Sequence, residues 1–156
     1  AIVGAPFSQE EDNRFDALEN QSNDSASVTQ KVAKLVYDFS IHGGATADIT
    51  LGVPTNKVFY LPAGAIVTRG YMYLNTAITG ASSPTFNIKC VSAGDFLATT
   101  NASVYNTSSA FYDLKQTGGS SLFVRMASAC QPKLTIGTGT VTAGKFTAYL
   151  EYIVAP

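Results

Sequence analysis

Two long segments of alternating hydrophobicity constrain the fold of this chain more than any other feature. One is KVFYLPAGAIVTRGYMYLNTAIT, residues 57–79, and the other is the closing VTAGKFTAYLEYIVAP, residues 141–156. In each segment a glycine-containing turn precedes a long run in which apolar residues recur at every second position. This is the period of a β-strand with one buried face. We therefore expect a fold built around long β-strands.

Shorter segments with the same period occur along the rest of the chain, separated by clusters of Gly, Ser, Pro and Asn. The body of the chain has no comparable helical pattern. The predicted strands cover residues 35–42, 49–53, 58–61, 66–78, 85–91, 110–114, 121–127, 133–136 and 145–154. This pattern predicts an all-β antiparallel sandwich, and a jelly roll of about eight strands is its most economical form.

The alternation also predicts which side chains of the long strands point away from the core. In strand 66–78 we assign Ile66, Met72, Leu74 and Ile78 to the buried face and Val67, Arg69, Tyr71, Tyr73 and Asn75 to the outer face, with a bulge at Gly70. In the last strand Tyr149 and Ile153 alternate with Phe146 and Leu150. Several outward aromatic residues indicate an interface, unless a covering loop buries both faces.

The first 30 residues differ from the remainder in charge. They hold six acidic residues and one basic residue, a net charge of −5, whereas residues 31–156 hold five acidic and nine basic residues, a net charge of +4. They also lack a strand pattern. We therefore predict an acidic N-terminal arm over residues 1–30 and a β-sandwich domain over residues 31–156. Either the arm is a disordered terminus or it orders on a partner.

Charge and hydropathy argue against two classes of partner. The basic residues of the body are spread along the chain rather than clustered, so no nucleic-acid partner is predicted. No apolar run approaches the ~18 residues of a membrane-spanning helix, and no signal peptide is recognised at the start, so no membrane partner is predicted.

Groups suited to catalysis or metal binding are scarce in the body. It contains one histidine, His42, beside a Gly-Gly pair, and nothing nearby completes a catalytic triad. A calcium ion needs several oxygen ligands, whereas Asp48 and Asp95 each stand as single carboxylates. The sequence therefore predicts no enzyme activity, no catalytic residue, no metal and no cofactor.

The two cysteines, Cys90 and Cys130, are too few to frame a disulfide scaffold. Cys90 shares the parity of Phe86 and Ile88, which predicts a small core residue. A protein that stays in the cytosol keeps such cysteines as thiols. A Cys90–Cys130 disulfide is the alternative, and sequence spacing does not decide between them.

Four segments of the body together resemble a known pattern. They are YDFSIHGGATADITLGV, LPAGAIVTRGYMYLNTAIT, NIKCVSAGDFLATT and TAGKFTAYLEYIV. From about residue 34 to residue 154 the chain looks like bacteriophage virion proteins of the capsid decoration, or cement, type. The resemblance is one of turns and strands, and it includes no catalytic signature. Neither the cysteines nor the acidic arm is part of it.

The resemblance implies a structural protein that assembles as a homotrimer on the outer surface of a phage head. It would bind adjacent major capsid protein subunits and clamp them together, since simultaneous contacts reinforce one another. Its place would be the virion, after synthesis in the host cytoplasm. The trimer contacts would be Tyr71, Tyr73, Tyr149 and Ile153. The arm would bind the capsid through Ile2, Val3, Phe7, Phe15 and Leu18.

Other functions stay open on the same residues. A carbohydrate-binding or receptor-binding jelly-roll module of a head fibre or tail would use exposed tyrosines to stack on sugars, although the chain has no Trp. A tail or head-completion component of the virion is a further alternative. Binding to sugars as opposed to phage heads would separate the first alternative from the decoration protein.

Overall fold

The computed structural model describes residues 29–52, 59–92, 94–114 and 123–154. These residues form nine strands, one turn of α-helix and one short 3-10 turn. The elements are β1 (Gln30–Asp38), α1 (Phe39–His42), β2 (Ala47–Thr50), β3 (Ala65–Ala81), β4 (Thr85–Lys89), β5 (Leu97–Asn101), the 3-10 turn (Ala102–Val104), β6 (Ala110–Asp113), β7 (Val124–Arg125), β8 (Lys133–Gly137) and β9 (Thr140–Val154).

Strands from the start of the described chain pair with strands from its end, and each successive pair lies closer to the middle of the sequence. β1 pairs with β9, β2 with β8, β3 with β6 and β4 with β5, all antiparallel, and successive pairs alternate between two sheets. The first sheet has the order β1-β9-β3-β6, with β7 also paired to β3, and the second has the order β2-β8-β4-β5. This alternation is the jelly roll. The predicted all-β jelly-roll sandwich is therefore confirmed.

Aromatic rings from both sheets meet in the core. Tyr37 of β1 packs against Phe86 of β4 and Phe146 of β9, with ring centroids 6.0 and 5.3 Å apart. Tyr105 stacks on Phe86 at 6.1 Å and meets Tyr112 edge-on at 5.1 Å. Such offset and edge-on contacts stabilise a fold beyond the area they bury. The ring cluster therefore joins the two sheets.

β1 ends four residues before the end of the strand predicted at 35–42. Phe39–His42 form the helical turn α1 instead. The Asp38 carboxylate caps this turn by accepting a hydrogen bond from the Ser40 backbone N–H at 2.9 Å, and Gly43, with a φ of 73°, ends it. Local capping thus outweighs the alternating pattern, and Ile41 is left 71% exposed rather than buried.

A bulge near the start of β3 exchanges the faces of that strand. The register with β9 shifts between Val67 and Arg69, which leaves Thr68 as an extra residue. Val67 is therefore buried and Ile66 is only half-buried, so the faces predicted for these two residues are wrong. The bulge was predicted at Gly70, but it lies at Thr68, two residues earlier. Beyond it, the predicted core residues Met72, Leu74 and Ile78 are all buried.

The shorter strands differ from the prediction in detail. No strand was predicted at β5, where only the first residue, Leu97, is buried and the sequence therefore has no alternating pattern. β7 has two residues where residues 121–127 were predicted, and 121–122 lie outside the described residues. β9 starts at Thr140 rather than at Lys145, so it is longer than predicted. Gln30, which the sequence assigned to the arm, already belongs to β1.

Cys90 and Cys130 form a disulfide that joins the end of β4 to the segment before β8. Their Cα atoms are 5.9 Å apart, an ordinary spacing for this bond. Cys130 also pairs with Leu61, exchanging two backbone hydrogen bonds of 2.7 and 2.9 Å. The structure thus contains the disulfide that the sequence left open, and the two cysteines are not thiols.

Candidate functional site

The outer face of the first sheet brings together most of the residues predicted to form an interface. Strand register aligns its outward side chains in rows that cross β1, β9, β3 and β6 or β7. We call this surface the aromatic face. Its rows are Gln30, Ile153, Ile66 and Arg125; Val32, Glu151 and Arg69; Lys34, Tyr149, Tyr71 and Asp113; and Val36, Thr147, Tyr73 and Phe111.

Four rings form a continuous surface at the centre of the aromatic face. Tyr71 and Tyr149 stack with centroids 5.1 Å apart and planes 21° from parallel. Phe111 lies 4.9 Å from Tyr73 and 6.4 Å from Tyr71. The Arg69 guanidinium lies 5.6 Å from the centre of the Tyr71 ring. Phe111 is 68% exposed, which is far more than a ring needs for packing within its own sheet.

Charged groups surround a shallow depression of about 420 Å³ beside these rings. Arg69 Nη2 lies 3.7 Å from Asp113 Oδ1, and the two side chains are 60% and 71% exposed. Glu151 accepts a hydrogen bond of 3.3 Å from the Gln30 side-chain amide. Ion pairs this exposed are weak, so their charges remain available to another molecule. The depression is lined by Arg69, Tyr71, Phe111, Tyr112, Asp113 and Glu151.

The outer face of the second sheet has a different composition. We call it the polar face, and it carries Asp48, Asn87, Lys89, Thr99, Lys133 and Thr135. Its groups bind one another: Lys89 Nζ lies 3.3 Å from Asp48, and the Thr135 hydroxyl donates to Asp48 at 2.7 Å. The Thr135 hydrogen bond, with help from Lys89, holds the pKa of Asp48 below its usual range.

His42 is held against the core by α1 rather than placed for catalysis. Its ring stacks on Tyr37 at 5.7 Å, and its Nδ1 accepts a hydrogen bond from the Asp38 backbone N–H at 3.0 Å. Asp38 also lies 3.6 Å from Lys145. Hydrogen bonds from Ser40, aided by Lys145, hold the pKa of Asp38 below its usual range. His42 and Asp38 therefore serve the turn that joins β1 to β2.

Asp95, which the sequence presented as a single carboxylate, has a structural role in a turn. One of its carboxylate oxygens accepts hydrogen bonds from the backbone N–H groups of Cys90, Val91 and Ser92, at 3.2, 2.6 and 2.8 Å. These bonds fix the turn after β4. Among the described residues, no group of three or more His, Cys, Asp or Glu is arranged to hold a metal ion. Nor do those residues include a helix of the length and apolarity needed to cross a membrane.

The structure places the predicted contact residues Tyr71, Tyr73, Tyr149 and Ile153 on one surface, all half-buried. Sequence reasoning did not identify Phe111 or Asp113, although both lie in the predicted strand 110–114. Their place beside Tyr73 and Tyr71 becomes evident only from strand register. The predicted arm residues Ile2, Val3, Phe7, Phe15 and Leu18 lie outside the described residues.

Comparison by sequence identifies no relative: no protein-family model matches the chain, and no curated protein matches it. Comparison by structure finds similar chains in two phage capsids. A chain in the acidic stable capsid structure of Helicobacter pylori bacteriophage KHP30 is 11% identical, with a TM-score of 0.54 over 81% of this chain and 88% of that one. A chain in the capsid asymmetric unit of cyanophage Pam1 is 19% identical, with a TM-score of 0.55 over 82% of this chain and 86% of that one.

Identities this low show a shared fold. The fold extends over most of both partners in each comparison, so the similar chains resemble this one in size as well as in architecture. The fold of this chain is therefore similar to the folds of chains from phage capsids, in line with the resemblance that its sequence indicated.

Proposed function

We propose that this protein is a structural component of a bacteriophage virion. It binds the outer surface of the capsid and stabilises the head by clamping adjacent major capsid protein subunits. The observation that carries the proposal is the jelly roll shared with chains from two phage capsid structures. Because one fold serves many functions, the proposal also needs support from the surface.

The aromatic face supplies that support. It offers four adjacent rings, one of which is the highly exposed Phe111, and such rings are features of contact surfaces between proteins. The carboxylates considered for chemistry, Asp48 and Asp95, are instead engaged in an ion pair and a turn. The proposed role is therefore one of binding, without catalysis.

Self-association is part of the proposal. Copies contact each other through Tyr71, Tyr73, Tyr149 and Ile153, and the resemblance to decoration proteins favours three copies over a joint between capsid subunits. An assembly that touches several subunits at once holds them more firmly than its single contacts suggest, because the contacts act together.

The acidic arm is the proposed link to the capsid. Residues 1–30 carry a net charge of −5, which suits a basic patch on the capsid surface. Apolar anchors along the arm, Ile2, Val3, Phe7, Phe15 and Leu18, would add area on binding. Segments that order as they bind cover wide surfaces at modest affinity, which suits attachment at many sites on one shell.

A carbohydrate-binding or receptor-binding module is the alternative, and the depression beside Tyr71 and Phe111 favours it. Aromatic rings next to Arg69, Asp113 and Glu151 combine a stacking platform with groups that hydrogen-bond hydroxyls. The depression opens onto the face of a sheet, whereas most small-molecule sites are clefts or cavities.

Mixing the purified protein with undecorated phage heads tests the proposed function. We expect saturable binding in co-sedimentation and heads that rupture at a higher temperature once decorated. A truncation that begins at Ser27 should bind more weakly while unfolding at the same temperature as the full chain. Absence of binding to heads, with binding on a glycan array, would replace this proposal by the carbohydrate alternative.

A further inference from the structure

The central row of the aromatic face has opposite charges at its two ends. It runs from Lys34 on β1 through Tyr149 and Tyr71 to Asp113 on β6. Strands lie about 4.8 Å apart, so the backbones of Lys34 and Asp113 are about 14 Å apart and the two residues do not pair within one chain. Asp113 instead has a weak, exposed ion pair with Arg69. Between Lys34 and Asp113, the two tyrosine rings stack on each other. If a second copy of this row lies on the first in the reverse direction, each lysine faces an aspartate and each tyrosine ring faces a tyrosine ring.

The neighbouring rows follow the same rule. Glu151 lies directly beside Arg69, so reversal brings the carboxylate of one row to the guanidinium of the other. Ile153 lies beside Ile66 in the outermost row, so reversal brings apolar against apolar. The centre of symmetry is the same in every row, namely the line between β9 and β3. In the remaining row, reversal brings Val36 to Phe111 and Thr147 to Tyr73, contacts that involve no charge. No row therefore places like charges together on reversal.

We infer that two copies of this chain pack aromatic face against aromatic face around a two-fold axis that runs along the strands between β9 and β3. Rotation about this axis places β1 over β6 and β9 over β3 of the other copy. Lys34 then meets Asp113 of the partner subunit, and Glu151 meets Arg69 of the partner subunit. Tyr149 packs on Tyr71 of the partner subunit, and each contact occurs twice.

The symmetry argument distinguishes this arrangement from a three-fold one. A two-fold contact uses the same patch on both copies, so the patch must complement itself, whereas a ring of three joins two different patches. A face in which no row places like charges together on reversal meets the first requirement. The inference rests on the proposed self-contact through this face and assigns it two-fold symmetry, so the two-fold contact and the three-copy contact proposed above are exclusive alternatives for these residues. It does not depend on capsid binding.

The size of the face fits a reversible contact. Four strands and four rows cover roughly 20 by 25 Å, or about 500 Å² per copy and about 1,000 Å² in total. Stable interfaces bury about 1,200–2,000 Å², so this total lies just below their range. We therefore expect a dimer that forms and dissociates with concentration, and that becomes firm where copies are held side by side on a shell.

Charge reversal at Lys34 and Asp113 tests the inference. In sedimentation velocity the full-length chain should shift from monomer to dimer with concentration. Lys34→Glu and Asp113→Lys should each weaken dimerisation about tenfold or more, because each change places like charges together twice. The matched control is Lys89→Glu on the polar face, which also reverses a lysine and should leave dimerisation unchanged.

Mixing the two single variants gives the sharpest result. A heterodimer of Lys34→Glu with Asp113→Lys contains one reversed pair and one native pair, both attractive, so equal mixing should restore the dimer affinity that each variant alone has lost. A ring of three cannot do this, since an odd ring must contain at least one contact between like variants. Rescue by mixing therefore supports the two-fold contact directly.

Four outcomes would overturn the inference: a trimer in the concentration series, a monomer at every concentration, equal effects of Lys34→Glu and Lys89→Glu, or no rescue when the two single variants are mixed. Binding of the same variants to phage heads is measured separately. If the chain binds heads but fails the mixing test, the two-fold contact is wrong and the proposed function stands. If the chain dimerises as described and does not bind heads, the two-fold contact stands and the proposed function is wrong.

Discussion

The two outer faces of the sandwich follow the same alternating rule and differ in what they carry. On the polar face, threonine, asparagine, lysine and aspartate bind one another, as in the Asp48–Lys89 and Asn87–Thr99 pairs. On the aromatic face, tyrosine, phenylalanine, valine and isoleucine lie among the charged and polar residues. Threonine and tyrosine both favour strands, so a sheet of this fold does not need outward rings. The rings are therefore explained better by contact with another molecule than by folding.

Removing the disulfide should have the largest effect on stability, and it acts on the sheet that bears the polar face. Changing Cys90 and Cys130 to Ser opens a link spanning 40 residues of sequence, which costs about 4 kcal/mol in the loop-entropy description. Urea unfolding of this double variant would measure the loss. Wild-type protein with reductant should lose the same amount, and a loss below about 1 kcal/mol would contradict the expectation.

Giving the centre of the aromatic face the composition of the polar face should weaken the proposed contact between copies. Changing Tyr71 and Tyr149 to Thr removes the stacked pair at its centre. We expect self-association to weaken by about 2–4 kcal/mol, since central aromatic residues dominate such contacts. The unfolding temperature should change much less. Lys133→Thr on the polar face is the control, and sedimentation velocity on both proteins measures the difference.

If the Thr variants associated as strongly as the wild type, the contrast between the faces would have no functional meaning. The aromatic face would then be an ordinary outer surface that happens to contain rings.

Alkaline conditions should destabilise the buried ring cluster that separates the two faces. Burial, with the charge of Asp38 adding to it, raises the pKa of Tyr37 to about 12, and burial raises the pKa of Tyr105 to about 12. In the unfolded chain both lose their protons near pH 10, so folding stability is complete below pH 10 and falls as the pH rises towards 12.

Between pH 9 and pH 11 the expected loss is on the order of 1 kcal/mol for each of these tyrosines. Urea unfolding at both pH values measures it. Tyr105→Phe should remove about half of the pH dependence, because it eliminates one of the two groups. An unchanged dependence in this variant would show that other groups cause the loss.

Acid should have a smaller effect, on the polar face through Asp48 and on the first sheet through Asp38. The pKa values of both carboxyl groups lie below their usual range in the folded protein. Their contribution is therefore present above about pH 4 and is lost as the pH falls through the folded-state values. Asp48→Asn should reduce the stability lost between pH 5 and pH 2.5 by less than about 1 kcal/mol, since the Asp48–Lys89 pair is partly exposed.

An acid dependence that is the same in Asp48→Asn as in the wild type would show that this carboxylate does not contribute to it. Thermal unfolding at several pH values, with Lys133→Thr as a second polar-face variant, measures the difference.

The sequence predicted the jelly roll because apolar residues recur at every second position along its long strands. Met72 and Leu74, like Phe146 and Leu150, alternate with polar or half-exposed residues and are buried as expected. The exchange at Ile66 could not be predicted, since a bulge depends on the partner strand as much as on its own residues. α1 was missed although its capping residues, Asp38 and Gly43, were visible in the sequence.

The candidate site was predicted in part. Tyr71, Tyr73 and Tyr149 follow from strand parity, which needs only the sequence. Phe111 and Asp113 do not, because their relation to those tyrosines depends on which strand pairs with which, and at what register. The disulfide depends on the approach of two loops far apart in sequence, which no local pattern records.

The position of β9 has a consequence for how the protein is made. β9 is the last strand along the described chain, yet it lies in the first sheet between β1 and β3, with hydrogen bonds to both. Until the ribosome has released β9, that sheet lacks the strand that joins its two halves, and Leu35 and Met72 have no finished core to enter. Folding by such distant pairing is slow and comes late. A nascent chain therefore cannot display a complete aromatic face, so the proposed contact between copies would form only after synthesis of β9.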